Sequence, residues 1–224
     1  MVQPQKGETA LYEYGIDDVP AIFRDATVDI PMYRFGVAKN GPVMEADIAG
    51  CIIIAAMRPR AMIGGLLHLP PDPFSEITAP RNEKEVLRNL GNASRIVAEF
   101  LEVTSVSQTS RIAVIAGSAN TGYPVIKEKE NEDCLEEEIA SEGGPYYIRF
   151  LQHVVRDLLS KGFRTEFYMN NSEKRVQLAT AAGVLTVTNT SVNSPKDQQA
   201  FVFDMKGRRN KILTQLEYLL EIAF

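Results

Sequence analysis

Cysteine and histidine are scarce in this sequence, and tryptophan is absent. The 224 residues include two cysteines and two histidines. Two cysteines cannot form the disulfide framework of a small secreted protein, so we expect a reducing compartment. The scarcity also narrows the chemistry. A thiol nucleophile has to be Cys51 or Cys134, and an imidazole base has to be His68 or His153.

An excess of positive charge is missing too. Lys and Arg number 24 against 29 Asp and Glu, giving a net charge of −5, which predicts no nucleic-acid partner. The longest apolar run, residues 48–57, is well short of the ~20 residues that a helix needs to cross a membrane. Residues 1–8 lack the apolar stretch of a signal peptide. We therefore expect a cytoplasmic, soluble protein with no membrane insertion.

What is present is an interleaving of helix-like and strand-like patterns. Apolar residues recur at helical spacing in 82–101, 145–161 and 211–223, and runs rich in β-branched residues lie between them. The pattern predicts an α+β fold, a single domain with layered mixed or antiparallel β-sheets flanked by two or three helices. We expect residues 1–32 to form an N-terminal extension, 33–190 the main domain, and 191–224 a strand and helix packed on it.

Two apolar runs contain the most suggestive residues. Cys51 opens the run that ends at Ala56, and His68 closes the run that begins at Met62, with Pro59-Arg60 as a turn between them. If the runs pair as a hairpin, the thiol and the imidazole lie at the same end of a sheet. That arrangement suits a nucleophile activated by a base.

Each of these residues also has a purely structural interpretation. Cysteine is among the most buried residue types, and a histidine at a strand end is often a polar side chain that simply caps the strand. Cys134 lies in the acidic segment 126–144, where neighbouring carboxylates disfavour a thiolate. His153 falls off the apolar stripe of its predicted helix, which favours a surface position. The turn after the strand at 111–116 is neither a P-loop nor a dinucleotide fingerprint.

The two runs resemble the signature of CheD, the chemoreceptor glutamine deamidase family. The stretch Ala49-Gly50-Cys51-Ile52-Ile53-Ile54 is similar to the Gly-Ser-Cys-Val-Ala-Val strand of that family. Ile63-Gly64-Gly65-Leu66-Leu67-His68-Leu69-Pro70 is similar to its Gly-Gly-Met-x-His segment and the Leu-Pro step that follows. His68 lies seventeen positions after Cys51, the separation expected of the family. The resemblance covers about residues 33–190, and only these two segments are specific.

The resemblance implies a mechanism and a set of site residues. Cys51, deprotonated by His68, would attack the side-chain amide of a protein glutamine, in a chemoreceptor or another protein, and form a thioester that water hydrolyses to glutamate. No metal or organic cofactor is implied. The partner would be that protein substrate or another chemotaxis signalling protein, and the cytotoxic necrotizing factor toxins use a related Cys-His core. Backbone amides near Cys51 would bind the oxyanion, and the implied oxyanion or substrate contacts are Gly50, Ile52, Gly65, Ser118 and Asn120.

The chain also departs from the family pattern. Ala-Gly replaces Gly-Ser before the cysteine, and the family's third catalytic residue, a threonine, falls at Glu45. A carboxylate at Glu45 or Asp47 can orient a histidine by accepting from its second ring nitrogen. Strand alternation would place both on the face of Cys51, so the choice stays open. Two alternatives to the deamidase remain. One is a weak or inactive adaptor of a chemotaxis-type system, and the other is a cysteine hydrolase of another small amide or ester.

Overall fold

The computed structural model describes residues 3–13, 19–70, 83–117, 144–170, 174–189 and 198–202. The predicted C-terminal helix at 211–223 and most of the acidic segment lie outside these ranges. The described elements are twelve strands, one 3₁₀ turn (Pro59–Ala61) and two α-helices, α1 (Glu83–Val103) and α2 (Gly144–Ser160). The strands are β1 (Glu8–Glu13), β2 (Ala21–Phe23), β3 (Val28–Asp29), β4 (Arg34–Lys39), β5 (Met44–Ile48), β6 (Ile52–Arg58), β7 (Ile63–Leu69), β8 (Arg111–Gly117), β9 (Arg164–Asn170), β10 (Lys174–Ala179), β11 (Val184–Asn189) and β12 (Gln198–Val202).

A seven-stranded sheet, the first sheet, forms the middle layer of the molecule. Its strand order is β2-β1-β4-β7-β6-β8-β9, with β8 and β9 parallel and the other neighbours antiparallel. The predicted hairpin is present as β6 and β7, joined by the 3₁₀ turn. Residues 52–57 of β6 are buried, as expected for an apolar, β-branched strand that is covered on both faces.

The N-terminal segment takes part in this sheet. β1 lies between β2 and β4 and pairs with β4 along its whole length, from Glu8 opposite Lys39 to Glu13 opposite Arg34. Ala10 and Tyr12 are buried, and the Tyr12 ring stacks on Phe35 with centroids 4.9 Å apart. Residues 8–13 are therefore built into the sheet.

A five-stranded sheet, the second sheet, lies against one face of the first. Its order is β12-β11-β10-β5-β3, with β3 and β5 parallel and the other pairs antiparallel. The residues buried between the two sheets form the inter-sheet core, which includes Met44, Ala46, Ile48, Ile53, Ala55, Met57, Leu66, Ala113, Ile115, Val176, Leu178, Leu185 and Val187.

The two helices cover the opposite face of the first sheet. Apolar residues recur along α1 and α2 at helical spacing, and they pack on the sheet to form the helix-side core. After α2, Gly162 adopts a left-handed φ of 77°, and the amides of Gly162 and Phe163 donate to carbonyls of the last helical turn, an ending that favours glycine. The helix-side core includes Phe35, Ile52, Ile54, Leu67, Leu69, Ala93, Ile96, Val97, Phe100, Leu151, Val154, Val155 and Leu158.

The layers are thus helices, first sheet and second sheet, and the predicted α+β class with two mixed sheets is confirmed. Neither described helix combines the length and apolar character that a membrane span requires.

Candidate functional site

Cys51 and His68 lie at one end of the β6–β7 pair, on the face that looks toward the second sheet. Ile53 is directly opposite His68 in the antiparallel register, and Cys51 is two residues before Ile53. Directly opposed residues share a face of a sheet. Cys51 is half-buried and packs against the inter-sheet core that contains Ile53. The register therefore makes the thiol and the imidazole diagonal neighbours.

The His68 ring is held by a backbone carbonyl. Its side chain is buried, with the residue 5% exposed, and Nδ1 lies 2.7 Å from the carbonyl oxygen of Ile30. A carbonyl oxygen only accepts, so Nδ1 carries the hydrogen and donates it. In the neutral ring the lone pair is then on Nε2. The contact with Ile30 fixes the tautomer in which Nε2 is the basic atom.

The Nε2 atom of His68 is buried and has no hydrogen-bond partner among the described residues. Leaving a buried acceptor unpaired costs about 1–3 kcal/mol, so such an atom calls for an explanation. Within the described ranges, buried atoms of Gln152, Thr165 and Thr180 also lack partners. Among these four side chains only the imidazole can take a proton from a thiol.

Burial keeps both groups of this pair neutral. Loss of solvation lowers the pKa of His68, an effect partly opposed by the Ile30 carbonyl and by the charges of Asp29 and Asp47. Burial also raises the pKa of the Cys51 thiol. Desolvation disfavours the charged form of each group. The resting pair is therefore a thiol and a neutral imidazole, and no hydrogen bond joins them, because Nε2 is unpaired.

The position of Cys51 is set where the chain passes from the second sheet to the first. Residues 49–51 connect β5 to β6, and the Cys51 carbonyl accepts a hydrogen bond of 2.8 Å from the amide of Gly117. A Cβ on Gly117 would lie only 2.1 Å from the carbonyl oxygen of Ala49. Glycine is thus required at position 117, because this backbone crosses directly over it.

Two predicted site contacts, Ile52 and Gly65, do not face the pair. The hydrogen bond from the Gly117 amide to the Cys51 carbonyl joins residues that are opposite each other in the β6–β8 register. Hydrogen-bonded and non-hydrogen-bonded pairs alternate along an antiparallel ladder, so the next pair, Ile52 and Ala116, is not hydrogen-bonded. The Ile52 amide therefore points away from β8 and toward β7. Gly65 lies on the opposite face of β7, where a Cβ would meet the Phe100 ring at 2.7 Å. Its role is close packing under α1.

The remaining predicted contacts are Gly50, Ser118 and Asn120. Gly50 is buried in the crossover beside Cys51. Ser118 and Asn120 lie outside the described residues, as does Cys134.

The structure does not bring Glu45 or Asp47 onto the His68 ring. Met44, Ala46 and Ile48 of β5 point into the inter-sheet core, so Glu45 and Asp47 face outward. The expectation that they share a face with Cys51 does not hold, because the chain changes sheets between them and Cys51.

Both carboxylates have partners on β10. Glu45 accepts from Gln177 at 2.8 Å, and Asp47 accepts two hydrogen bonds from Arg175 at 2.8 and 2.9 Å. This bonding by Arg175 lowers the pKa of Asp47. The group that orients His68 is the Ile30 carbonyl, which has no signature in the sequence because every residue has a carbonyl.

The segment from Ile30 to Tyr33 holds His68 at a second point, which has no signature in the sequence either. The Tyr33 amide donates to the His68 carbonyl oxygen at 3.1 Å. Tyr33 has a left-handed φ of 68°, which is uncommon for a bulky residue. One turn of chain thus binds both the ring and the backbone of the histidine.

The second histidine belongs to the helix layer. His153 Nε2 lies 2.7 Å from the Ser94 hydroxyl, a contact that links α2 to α1. His153 is half-buried, and so it is less exposed than its place off the apolar stripe predicts. Within the described ranges, no three His, Cys, Asp or Glu side chains converge as they would to hold a metal ion.

Comparisons with known proteins add little. No protein-family model matches the chain, and no curated protein matches it. Among solved structures it is similar to the hypothetical protein YfiH of Bacillus licheniformis, with 13% identity and a TM-score of 0.30 over 56% of this chain and 46% of that one. It is also similar to YlmD from Geobacillus stearothermophilus, with 14% identity and a TM-score of 0.24 over 57% and 47%. The chain spans about half the length of either structure, and TM-scores this low carry no argument.

Proposed function

We propose that this protein is a cysteine amidohydrolase of the CheD type, which converts glutamine side chains of a protein to glutamate. The observation that carries the proposal is the buried imidazole of His68. The Ile30 carbonyl occupies its Nδ1 hydrogen, and its Nε2 lone pair has no partner among the described residues, on the strand face that His68 shares with the half-buried thiol of Cys51. A base of this kind has no evident use in the packing of the core.

The neutral state of the two side chains favours general-base catalysis over attack by a thiolate that is already ion-paired with the imidazolium. Since burial raises the pKa of the Cys51 thiol and lowers that of His68, a stable ion pair at rest is disfavoured. The proton would move from sulfur to Nε2 as the thiolate attacks, which is general-base catalysis. Catalytic hydrogen bonds are often formed only in the substrate complex, so the missing bond between the two residues is compatible with this sequence of events.

The proposed reaction has two halves. Cys51 Sγ forms a bond to the amide carbon of the glutamine side chain, and the imidazolium then gives its proton to the departing nitrogen, which leaves as ammonia. Water, deprotonated by His68, attacks the thioester, and the thiol takes the proton back as glutamate is released. Backbone amides of the crossover at Gly50 and Cys51 are the candidate donors to the oxyanion.

The choice of a protein glutamine as substrate rests on the sequence. The Gly-Cys and Gly-Gly-x-x-His frame at its family spacing resembles the chemoreceptor deamidases, and a chemoreceptor or another protein of a reducing cytoplasm is the proposed partner. Glu45, which takes the place of the family's third residue, has no part in this mechanism, because Gln177 binds its carboxylate on the outer face of the second sheet.

The test is ammonia release from a chemoreceptor signalling domain, with mass spectrometry to locate converted glutamines. Cys51→Ala should lower the rate by about 10³-fold or more, and His68→Gln by about 10²–10⁴-fold. The matched control is Cys134→Ala, which should leave the rate unchanged. Wild-type activity that survives Cys51→Ala would disprove the mechanism.

A second function, that of a signalling adaptor, is favoured by one observation. The thiol and imidazole are not hydrogen-bonded, and burial raises the pKa of the Cys51 thiol. Both features make the thiol a weaker nucleophile, and a protein that only binds a partner does not need a reactive thiol. An adaptor would bind a chemotaxis protein equally well with Cys51→Ala and release no ammonia in the wild type. The deamidase would release ammonia only with Cys51 and His68 intact.

A further inference from the structure

Ile30 connects the two sheets at the proposed base. Its amide donates to the backbone carbonyl of Glu45 in β5 at 2.7 Å, and its own carbonyl oxygen lies 2.7 Å from His68 Nδ1 in β7. Its side chain is fully buried and belongs to the inter-sheet core. The second sheet thus holds the backbone of Ile30, and the Ile30 carbonyl in turn holds a side chain of the first sheet.

The Ile30 side chain fills the space that Gly36 of β4 leaves open. A Cβ on Gly36 would lie 2.5 Å from Ile30 Cδ1 and 2.9 Å from Met44 Sδ. At such distances the neighbouring side chains would have to move. Both of them are 0% exposed, and a close-packed interior offers little room for movement. The position of the Ile30 side chain therefore depends on glycine at position 36.

Gly36 lies close to His68 on the same face of the first sheet. Arg34 is directly opposite His68 in the β4–β7 register, and Gly36 is the next residue of β4 on that face. Leu66, which is opposite Gly36, belongs to the inter-sheet core. Ile30 thus packs over Gly36 with its side chain and binds the neighbouring His68 with its carbonyl.

The residue after Ile30 couples its side chain to its carbonyl. A residue that precedes proline is restricted to extended backbone conformations, and Pro31 imposes this restriction on Ile30. The branched side chain of isoleucine is also restricted at χ1. Because neither the backbone nor the side chain rotates freely, a force on the buried side chain is transmitted to the carbonyl that binds the imidazole.

From these contacts we infer that Gly36 is a positioning residue for His68. By leaving space for the Ile30 side chain, it aligns the Ile30 carbonyl with Nδ1 and keeps the imidazole in the tautomer whose lone pair is on Nε2. The importance of this tautomer rests on the proposed function, in which Nε2 is the base for Cys51. The inference extends the proposed site to strand β4.

The experiment measures the tautomer of His68 in the full chain. NMR spectra that correlate the ring protons with the ring nitrogens of isotopically labelled protein distinguish a protonated from an unprotonated nitrogen. They are recorded at about pH 8, where a histidine ring is neutral. His68→Gln identifies the signals of His68 against those of His153. Gly36→Ala should lower the ratio of the Nδ1–H to the Nε2–H tautomer by about ten-fold, which corresponds to the loss of one buried hydrogen bond.

Two further variants separate positioning from a general loss of packing. Ile30→Val removes the Cδ1 atom that the new methyl group would meet, so its combination with Gly36→Ala conserves the volume of the core and should restore the wild-type ratio. Gly64→Ala is the matched control. Its Cβ would lie 2.9 Å from Met57 Sδ in the same inter-sheet core, but at the other end of β7 from His68. It should lower stability and leave the tautomer ratio unchanged.

Three results would overturn the inference. They are a wild-type ring that is not mainly in the Nδ1–H form, a folded Gly36→Ala protein with the wild-type ratio, and a ratio that Gly64→Ala lowers equally or Ile30→Val does not restore. If Gly36→Ala does not fold, Ile30→Ala takes its place, because it removes the packed side chain without adding an atom. It should lower the ratio as well, and an unchanged ratio would again contradict the inference.

The proposed function is tested separately by alkylation of Cys51 with iodoacetamide, followed by peptide mapping that separates Cys51 from Cys134. If Nε2 is the base, His68→Gln slows this alkylation. Gly36→Ala should slow it in proportion to the lost tautomer, and the combination with Ile30→Val should restore it. A wild-type rate in His68→Gln would disprove the role of the base, whereas the tautomer ratios would still decide whether Gly36 positions the ring.

Discussion

The two faces of the first sheet are made by the same strands and differ in chemistry. On the helix side, residues such as Phe100 pack among other apolar side chains, and the buried Thr104 hydroxyl is satisfied by a bond of 2.6 Å to the Phe100 carbonyl. On the inter-sheet side, the apolar core ends at Cys51 and at His68, whose Nε2 is unpaired. Other buried atoms of the described residues also lack partners, but the inter-sheet side carries the only one of them that is a base, and leaving it unpaired lowers stability.

The largest effect on stability should come from the helix side. Phe100 is fully buried, packs edge-on to Phe35 with ring centroids 5.8 Å apart, and lies over Gly65. Phe100→Ala should lower the free energy of unfolding by about 3–5 kcal/mol, because it removes a large apolar side chain and leaves a cavity. Urea denaturation measures this loss.

The same variant tests whether the helix side of the sheet affects the reactivity of Cys51. Where Phe100→Ala is still folded, iodoacetamide should label Cys51 at the wild-type rate, since the two residues lie on opposite sides of the sheet. A large change in that rate would mean that the helix side controls the site.

A smaller effect should appear in the dependence of stability on pH. Burial lowers the pKa of His68 from its usual 6.5, so just below pH 6.5 the unfolded chain binds a proton that the folded chain does not. The free energy of unfolding should therefore fall as the pH falls through 6.5, and this contribution should stop changing below the lowered pKa. Melting temperatures at about pH 8 and about pH 5 measure it.

The control for this prediction is His68→Gln, which should lose a few degrees less than the wild type over that interval. Arg175 lowers the pKa of Asp47, so the Asp47 contribution is lost only at more acidic pH, as the carboxylate itself titrates. Equal losses in the wild type and His68→Gln would contradict the burial of an uncharged imidazole.

The smallest effect should come from the outer face of the second sheet. The Glu45 carboxylate is hydrogen-bonded to Gln177, and the His68 ring is hydrogen-bonded to Ile30, so Glu45→Gln should change kcat by less than about two-fold and leave its pH profile in place. Steady-state ammonia release measures it. A fall of about 10²-fold would show that the carboxylate reaches the histidine during turnover.

Sequence patterns were sufficient for the two described helices and for the pairing of the two runs. The helices predicted at 82–101 and 145–161 are α1 and α2, and the Pro59-Arg60 turn joins β6 to β7 as expected. Apolar periodicity and turn residues are local signals, so they can be recognised in the sequence without knowledge of the fold. The same hairpin puts Cys51 and His68 at one end of the sheet, which is the part of the site that local reasoning reaches.

The sequence by itself determined the α+β class and the proximity of one thiol and one imidazole. Only the tertiary structure decided what surrounds them. Alternation along the chain places Glu45 with Cys51, but the crossing between sheets at Ala49 and Gly50 separates them, since periodicity does not reveal where a strand changes layers. The partner of His68 is a carbonyl at Ile30, thirty-eight positions away. Because backbone groups are the same in every residue, their contacts are fixed by packing and remain invisible in the sequence.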